Sequence, residues 1–510
     1  MANDRKNISF PNEIVSFFNR PSGRSLMIRG SPGTGKTTFA LQLLEELADP
    51  DKSLYLSTRV SDEALYSQFP WLEAKEMKNR IVDSSRIFLK TLYSEGGIEE
   101  IVEGPMETPI LTSAKGFLKD ISDEKGPPTK VDRTRLSAML EKTRMPEIES
   151  TYDRVEFILP EKTTLIIDSV EGVTHKYNID AEEFITVLQK DLVENSNTDL
   201  ILVLEKAEIP QLEYLVDGVM SLSMSELEGR RVREGHFIKL RATEIRQPSY
   251  LLTLQNGRFT CFEPFCPDRS KANGWETKPD TTTHYSTGIS DLDALLDGGF
   301  RKGSYNVIEI GHKVSNQEYY AVVIPILLNF ISQNRGVVAV LTGGDHAETT
   351  RAELLPFLSE EQFDRYVRIA DYFLANTDKP YIMALGTRNK EEALKTWKEN
   401  LASLRGAENK PILDYTGFDT LEYLRGDTIA IKDLLNAVAK TKISQDLGLG
   451  IIKPGLKLTQ EIMNMADTYL RIVDIDKCPC IYGVKPKTMI YAIVTDKNRG
   501  YPNIRLVPIV

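Results

Sequence analysis

The chain has 510 residues, a net charge of −11, 41% hydrophobic residues and 27% charged residues. This length exceeds one hydrophobic core and predicts two or three domains, and the acidic charge opposes the broad basic field that drives nucleic-acid binding. No apolar stretch is long enough to span a bilayer and the N-terminus lacks a signal-peptide layout, so we expect a cytoplasmic protein without a membrane span.

Near the N-terminus, residues 30–37 read GSPGTGKT, which matches the phosphate-loop pattern G-x-x-x-x-G-K-[ST]. An apolar run, Ser25–Ile28, precedes the loop and a helical pattern, Thr38–Leu47, follows it. Glycines let backbone N–H groups turn toward a polyphosphate, and the helix N-terminus adds partial positive charge. Lys36 is predicted to reach the β- and γ-phosphates of ATP, and Thr37 to hold Mg²⁺. The predicted nucleotide-binding residues are Gly30, Ser31, Pro32, Gly33, Thr34, Gly35, Lys36, Thr37 and Thr38.

Alternating strand-like and helix-like segments continue to about residue 260 and predict an α/β layered domain. Continuous apolar or β-branched runs are typical of parallel strands buried on both faces, and an amphipathic helix is predicted over Ala181–Asn195. The buried strands are predicted at Ser53–Ser57, Thr163–Ile167 and Leu200–Leu204. Antiparallel strands are predicted at Gly218–Leu222, His236–Ala242 and Tyr250–Leu254.

The segment 86–161 is long and weakly patterned, so a functional insertion or lid and a plain surface connection are both open. Residues 264–283 are rich in Pro, Asp, Lys and Thr and are predicted to be a linker between domains 1–263 and 284–510. The second domain begins with a turn, a short helix, a GG break and a strand over Ser286–Gly311, which repeats the entry to a phosphate-loop domain and predicts internal duplication.

Candidate catalytic carboxylates follow the predicted strands of the first domain. Asp168 ends the apolar run TTLIID, and in a phosphate-loop enzyme such an Asp holds Mg²⁺ through water. Hydrolysis also needs a group that orients the attacking water. Glu171 is the leading candidate for that role, with Glu205 and Glu63 as alternatives.

The four cysteines have spacings of C-x4-C and C-x-C, at Cys261, Cys266, Cys478 and Cys480. A four-thiolate zinc site is one interpretation, but neither spacing is a standard zinc pattern and no His lies near in the sequence. Reduced, mostly buried thiols are the preferred interpretation.

The chain resembles the RecA-like ATPases of the KaiC and archaeal recombinase superfamily. The phosphate loop, LIIDS, DGV (Asp217–Val219) and KLRAT (Lys239–Thr243) occur in the order of that superfamily, and TGISDLDALLDGGFRKGS resembles a KaiC-type domain entrance. Within the superfamily, YLSTRVS (Tyr55–Ser61) looks closest to the gas-vesicle regulatory family GvpD. The resemblance implies two tandem RecA-like domains that assemble into oligomers. It further implies that Lys239 and Arg241 act on the γ-phosphate bound by a neighbouring subunit.

The chain departs from that pattern at two places. The resemblance implies a pair of catalytic Glu residues after the second strand, but Thr58 and Arg59 stand there, so we expect slow hydrolysis. In the second domain the loop reads GHKVSNQE, with Gln317 and Glu318 in place of the Lys and the hydroxyl. Asp414 is predicted at the place of the metal-binding Asp, and Lys497–Gly500 fits K-x-R-G. We expect a degenerate domain used for assembly or regulation, or alternatively a site for another ligand.

Together these features predict an ATP- and Mg²⁺-binding regulatory protein that hydrolyses ATP slowly and acts through nucleotide-dependent contacts with other proteins. A transcription regulator is one partner that the gas-vesicle resemblance suggests. A DNA-recombination ATPase and a KaiC-like autokinase remain alternatives, although the net charge opposes DNA binding.

Overall fold

A computed structural model describes residues 9–78, 80–84, 87, 130–140, 144–267, 275–386 and 389–510. The chain divides into two compact units. The first contains the described parts of Met1–Leu227 and Val232–Cys261, together with Val510, and the second contains Glu228–Arg231 and the described parts of Phe262–Ile509. Residues 88–129, which include most of the segment left open as insertion or connection, lie outside the described residues.

The first unit is built on a nine-stranded sheet with the order β3-β2-β4-β5-β1-β6-β7-β8-β9. The first six strands of this order, from β3 through β1 to β6, pair in parallel. The ladders from β7 to β8 and from β8 to β9 are antiparallel. The strands are β1 Ser25–Arg29, β2 Ser53–Ser57, β3 Ile81–Asp83, β4 Thr164–Asp168, β5 Asp199–Leu204, β6 Gly218–Leu227, β7 Arg230–Leu240, β8 Ser249–Thr253 and β9 Thr260–Cys261.

Helices cover this sheet and connect its parallel strands. The α-helices are Asn12–Phe18, Lys36–Glu46, Asp62–Gln68, Lys75–Lys78, Thr134–Leu140, Pro146–Ile158, Val170–Tyr177, Ala181–Leu188 and Pro210–Glu213. Short 3₁₀ turns lie at Pro50–Lys52, Pro70–Glu73 and Gln255–Gly257. The helix predicted over Ala181–Asn195 is α-helical only to Leu188 and continues as a π-helix over Gln189–Glu194.

Strand β1 explains why the central strands are continuously apolar. All five of its residues are buried. Leu26 and Ile28 pack into a cluster with Phe39, whereas Met27 between them packs into the cluster on the other face. Because successive strand side chains point to opposite faces, a strand covered by helices on both sides must be apolar at every position.

Strand β6 corrects one sequence prediction. Its first residues, Gly218–Leu222, were predicted to be antiparallel, but Leu26 and Gly218 are partners in a parallel ladder between β1 and β6. The antiparallel part of the sheet begins only after β6. The reason is long-range: β6 follows a helical crossover and docks beside β1, and no local pattern records which neighbour a strand will choose.

The second unit repeats this arrangement with a ten-stranded sheet of order β15-β14-β13-β16-β17-β12-β18-β19-β20-β21 and a separate β10-β11 pair. The first seven strands of this order, from β15 through β12 to β18, pair in parallel. The last three ladders, from β18 to β21, are antiparallel. The strands are β10 His284–Tyr285, β11 Phe300–Arg301, β12 Tyr305–Ile310, β13 Gly336–Val340, β14 Val367–Asp371, β15 Ile382–Ala384, β16 Ile412–Gly417, β17 Leu447–Ile452, β18 Thr468–Ile475, β19 Cys478–Lys485, β20 Tyr491–Thr495 and β21 Ile504–Pro508.

The helices of the second unit occupy equivalent crossovers. They are Ser290–Leu295, Asn316–Ser332, Ala347–Leu354, Glu360–Tyr366, Lys390–Arg405, Phe418–Arg425, Asp427–Ser444 and Thr459–Met465. β12 lies between β17 and β18 as β1 lies between β5 and β6, so both units are parallel-dominated α/β folds of one topology. Among the described residues, no helix combines the length and apolar character needed to cross a membrane.

Candidate functional site

The phosphate-loop motif connects the end of β1 to the helix Lys36–Glu46. Gly35 has φ 101°, in the left-handed region that glycine adopts without strain, and a Cβ there would lie 2.9 Å from the Leu254 side chain. A Cβ at Gly30 would lie 2.3 Å from the carbonyl oxygen of Leu222. The loop therefore needs glycine at both ends, and it delivers the N-terminus of the helix to the carboxyl edge of the sheet.

Lys36 is buried at the base of this loop. Its Nζ donates hydrogen bonds to the carbonyl oxygens of Gly30 at 2.7 Å and Ser31 at 3.0 Å. The same Nζ lies 3.6 Å from Oε2 of Glu205, the residue that follows β5. The lysine charge is thus held among acceptors inside the loop, where a bound phosphate would compete with Glu205 for it.

Thr37 and Asp168 come together from the helix and from the last position of β4. The Thr37 hydroxyl donates to Oδ2 of Asp168 at 2.7 Å, and the hydroxyl of Tyr55 on β2 donates to the same oxygen at 2.7 Å. Burial raises the pKa of Asp168 above its usual value, while the two hydroxyl donors act in the opposite direction. Tyr55 was not identified from the sequence, because only the pairing of β2 with β4 brings it beside Asp168.

These donors fit a hard cation. A threonine hydroxyl and a carboxylate that already share one hydrogen bond are the oxygen ligands that Mg²⁺ takes in phosphate-transfer sites, directly or through water. Thr37 and Asp168 would hold the ion.

Thr58 lies at the end of β2, where the sequence departs from the KaiC-like pattern. Its hydroxyl accepts from the N–H of Ser169 and donates to the Ser169 carbonyl, both at 2.8 Å. A Cβ on Gly172 would lie only 2.1 Å from the Thr58 Oγ1. The Thr58 side chain therefore ties the residue after β2 to the segment that follows Asp168.

Arg59 and Glu205 form the outer part of the site. Nη1 of Arg59 lies 3.6 Å from Oε1 of Glu205, so the two oxygens of this carboxylate face two different cations, Arg59 and Lys36. Exposure of the side chains rises outward, from 5% for Lys36 to 30% for Glu205 and 57% for Arg59. Glu205 was only an alternative in the sequence analysis, yet it is the carboxylate that reaches the phosphate-loop lysine.

Glu171 lies just behind this group, in the first turn of the helix Val170–Tyr177. Its Oε1 accepts the backbone N–H of Glu205 at 2.9 Å, and its Oε2 is buried without a hydrogen-bond partner within the described chain. Glu63, the third candidate, is exposed on the helix Asp62–Gln68. Of the three carboxylates, Glu171 and Glu205 are joined by a hydrogen bond, whereas Glu63 is exposed to solvent.

Lys239 and Arg241 lie at the opposite edge of the sheet from the phosphate loop. Lys239 donates to the Glu213 carbonyl at 2.8 Å, and Arg241 forms an ion pair with Asp217 at 3.0 Å. Asp217 precedes β6, which begins beside the amino end of β1. Burial, followed by the nearby Arg241 charge, lowers the pKa of Lys239. Neither residue is placed to touch the phosphate loop of its own unit.

Arg233 on β7 contacts the phosphate loop, although no sequence pattern indicated this. Its Nη1 donates to the Gly33 carbonyl in the phosphate loop at 2.7 Å, and its Nε donates to the Val510 carbonyl at 2.5 Å. Arg233 thus links the Gly33 carbonyl of the phosphate loop to β7 and to Val510.

The corresponding loop of the second unit is closed by its own side chains. Ser315 and Glu318 form a capping box, in which Oε2 of Glu318 accepts from the Ser315 backbone N–H at 2.6 Å. Asn316 donates to Asp345 at 3.1 Å. The carboxylate of Glu318 thus satisfies the helix terminus at which a phosphate would bind.

Two sequence predictions for the second unit need correction. Asp414 does not end a strand as Asp168 does: it pairs with Gly448 inside β16, which continues to Gly417. Burial raises the pKa of Asp414 to about 6. The Lys497–Gly500 motif follows β20, whereas Lys239 and Arg241 lie at the end of β7, the strand whose topological counterpart is β19.

The cysteines give no support to the zinc interpretation. Cys478 and Cys480 are buried in β19, and Cys266 is exposed. Among the described residues, no group of three or more His, Cys, Asp or Glu side chains is arranged as a metal-ligand set.

The folds and the loop geometry define the class of protein: a RecA-like P-loop protein with two tandem α/β domains. The family model "GvpD gas vesicle protein, P-loop domain" matches residues 14–237, and "GvpD basic region 2" matches residues 274–380. Residues 14–237 are therefore similar to the P-loop domain of GvpD proteins. In this chain the region 274–380 contains more Asp and Glu than Lys and Arg, so its own composition is not basic.

Individual relatives agree with this assignment. Protein GvpD2 of Halobacterium salinarum is 27% identical, covering 98% of this chain and 96% of that protein, and GvpD1 of the same organism is 25% identical over 99% and 97%. The circadian clock oscillator protein KaiC of a Nostoc species is 24% identical over 57% of this chain and 49% of KaiC. The predicted resemblance to GvpD and to KaiC is confirmed.

Proposed function

We propose that the first unit binds Mg²⁺·ATP and hydrolyses it slowly. The observation that carries this proposal is the contact between Thr37 and Asp168, 2.7 Å apart, beside a buried Lys36. Lys36 and Thr37 begin one helix and Asp168 ends β4, and together they offer a cation and two hard oxygen ligands to Mg²⁺·ATP.

Each residue has a proposed role. The N–H groups of the loop from Gly30 to Thr38 cradle the phosphates, and Lys36 neutralises the β- and γ-phosphate oxygens. Thr37 and Asp168 hold Mg²⁺, which supplies further neutralisation of phosphate charge when bound. Glu171, with one buried oxygen that has no partner within the described chain, orients the attacking water.

We expect turnover to be slow because Thr58 and Arg59 follow β2, where a pair of catalytic Glu residues is expected from the KaiC resemblance. A hydroxyl that is already engaged with Ser169 and an arginine cannot accept a proton from water. Turnover well below the common enzyme range of ~1–1000 per second suits a switch, in which the nucleotide state orders or releases contacts.

The proposed cellular role is regulation through protein contacts. Its support is similarity to GvpD proteins, whose family model is described as a gas vesicle protein, and to KaiC, a circadian clock oscillator protein. A homo-oligomer with active sites completed between subunits, and a protein partner such as a transcription regulator, belong to this proposal.

The decisive experiment is a stoichiometric ATP titration with mass analysis of the assembly. We expect one site per chain, and we expect Lys36→Ala to abolish binding because the buried cation is lost. Lys52→Ala, which removes a cation paired with Asp49 outside the loop, is the matched control and should bind normally. Two sites per chain, or binding that survives Lys36→Ala, would contradict the proposal.

The two alternative functions are distinguished in the same preparation. ATPase activity stimulated by DNA would favour a recombination-type enzyme. Transfer of label from γ-labelled ATP to the chain itself or to a partner would favour a kinase.

A further inference from the structure

Glu205 occupies a position that no part of the proposed function explains. Its carboxylate lies between two cations, with Oε2 3.6 Å from Lys36 Nζ and Oε1 3.6 Å from Arg59 Nη1. Its backbone N–H is fixed by Glu171. One anionic group therefore bridges the phosphate-loop lysine and an arginine from the end of β2.

The two ion pairs differ in strength. Lys36 is buried, so its charge needs a counter-anion and the Glu205 pair is costly to leave unmade. The Arg59 side chain is 57% exposed, and an ion pair at such a position contributes little. Arg59 is therefore free to change partners while Lys36 requires an anion at all times.

The stem of Arg59 is better fixed than its charged end. A Cβ on Gly172 would lie 3.0 Å from the Arg59 Cγ, so the aliphatic part packs closely against the start of the helix Val170–Tyr177. A planar donor group with a held stem is suited to an oxygen-rich anion such as a phosphate.

We propose that Arg59 binds the γ-phosphate of ATP within its own unit, and that Glu205 is the internal anion which the γ-phosphate displaces from Lys36 and Arg59. This inference rests on the proposed function and assigns to the same site a means of distinguishing ATP from ADP. Without a γ-phosphate, Glu205 remains the partner of both cations. With one, the two cations share the new anion and Glu205 is released.

The test is binding rather than activity. Affinities for a non-hydrolysable ATP analogue and for ADP, both with Mg²⁺, are measured by calorimetry on the full chain and on R59A. Loss of a charge-assisted contact should weaken binding of the ATP analogue about 10-fold or more. Binding of ADP should change less than about 2-fold, and this retained binding also reports a folded site. K190A, which removes an exposed cation paired with Glu194, is the control for net charge.

The companion variant is E205Q. Because the competing carboxylate is gone, the ATP analogue should bind more tightly than it binds the unmodified chain, and ADP should gain less. Equal losses of both nucleotides in R59A, or no loss of either, would overturn the proposal. If the unmodified chain bound neither nucleotide, the proposed function itself would fail, which is a distinguishable result.

Discussion

At the residue scale, two linked carboxylates, Glu171 and Glu205, lie at the phosphate-loop lysine. Glu205 neutralises Lys36, and Glu171 holds the backbone of Glu205 with one oxygen while its second oxygen is buried without a hydrogen-bond partner in the described chain. A carboxylate with a free, buried oxygen beside a phosphate site is a candidate to orient water. Glu171 therefore remains the proposed catalyst.

Glu171→Gln tests this role. The amide oxygen keeps the hydrogen bond from Glu205 N–H, but an amide is a poor proton acceptor, so turnover should fall about 100-fold or more while ATP affinity changes little. Steady-state hydrolysis and equilibrium binding measure the two effects separately. Glu194→Gln, at an exposed residue paired with Lys190, should change neither. Unchanged turnover in Glu171→Gln would reduce Glu171 to a positioning residue for Glu205.

At the element scale, the starts of two equivalent helices decide which unit can hold a nucleotide. The helix Lys36–Glu46 begins after left-handed Gly35 without any side-chain cap, so its terminal N–H groups are available. The helix Asn316–Ser332 begins with a complete capping box between Ser315 and Glu318. The same topology thus presents an open terminus in one unit and a satisfied terminus in the other.

Removing the cap should weaken the second unit without creating a site. Glu318→Ala is expected to lower the free energy of unfolding by about 1 kcal/mol, because the Ser315 N–H loses its acceptor. ATP stoichiometry should stay at one per chain, because the variant still has Gln317 at the position of the phosphate-loop lysine. Denaturant unfolding and titration check both statements, and Gln317→Ala, at an exposed neighbour, is the control. A second nucleotide site in Glu318→Ala would show that Glu318 alone had blocked it.

Asp199, at the amino edge of the first sheet, makes the stability of the first unit depend on pH. Asp199 begins β5, accepts the Arg24 N–H at 2.9 Å and pairs with Lys162 at 2.8 Å, yet burial raises its pKa to about 6. The folded state therefore holds a proton that the unfolded chain releases near pH 4. Consequently the contribution of Asp199 to stability is greatest below pH 4 and declines as the pH rises to about 6.

Asp199→Asn should remove this dependence. Relative to the variant, the unmodified chain should lose up to about 3 kcal/mol of unfolding free energy between pH 4 and pH 7. This figure is the rise in the pKa of Asp199 from 3.8 to about 6, converted to free energy. Denaturant unfolding of both proteins at a series of pH values gives the difference directly. Parallel profiles would mean that the Lys162 pair keeps Asp199 ionised throughout.

At the scale of the whole molecule, a complete active site needs more than one copy of the chain if Lys239 and Arg241 contact phosphate. Both lie at the edge of the sheet opposite the phosphate loop of their own unit. Arg241 is largely exposed, and its partner Asp217 also accepts from the backbone and hydroxyl of Ser25. An exposed arginine at this edge is available to a neighbouring copy, as the KaiC resemblance implies.

Mixing variants tests the arrangement between subunits. Arg241→Ala should leave ATP affinity nearly unchanged and lower turnover about 10-fold or more, because an arginine near transferring phosphate acts mainly on transition-state charge. Mixing it with Lys36→Ala should restore part of the activity, since some interfaces then combine an intact loop with an intact arginine. Arg246→Ala, at an exposed arginine paired with Glu244, serves as the control. Full activity of Arg241→Ala, or a mixture without rescue, would leave this arginine with a local role only.

The sequence by itself determined the local features of this protein. GSPGTGKT fixes a turn that only glycines permit, and runs such as Ser53–Ser57 must be strands buried on both faces. The strand end at Asp168 and the altered loop at Gln317 and Glu318 could also be predicted from the sequence, because each depends on a few consecutive residues. The domain boundaries, the residue roles and the oligomer remain predictions.

The tertiary structure alone decided which distant residues meet. Nothing local connects Tyr55 to Asp168, Arg233 to Gly33, or Glu205 to both Lys36 and Arg59. Strand register made these choices: it brought the carboxyl ends of β1, β2, β4 and β5 to one edge, and it left Asp414 inside β16. Register follows from packing of the whole sheet, since a strand's pattern states which face is buried but not which neighbour it pairs with.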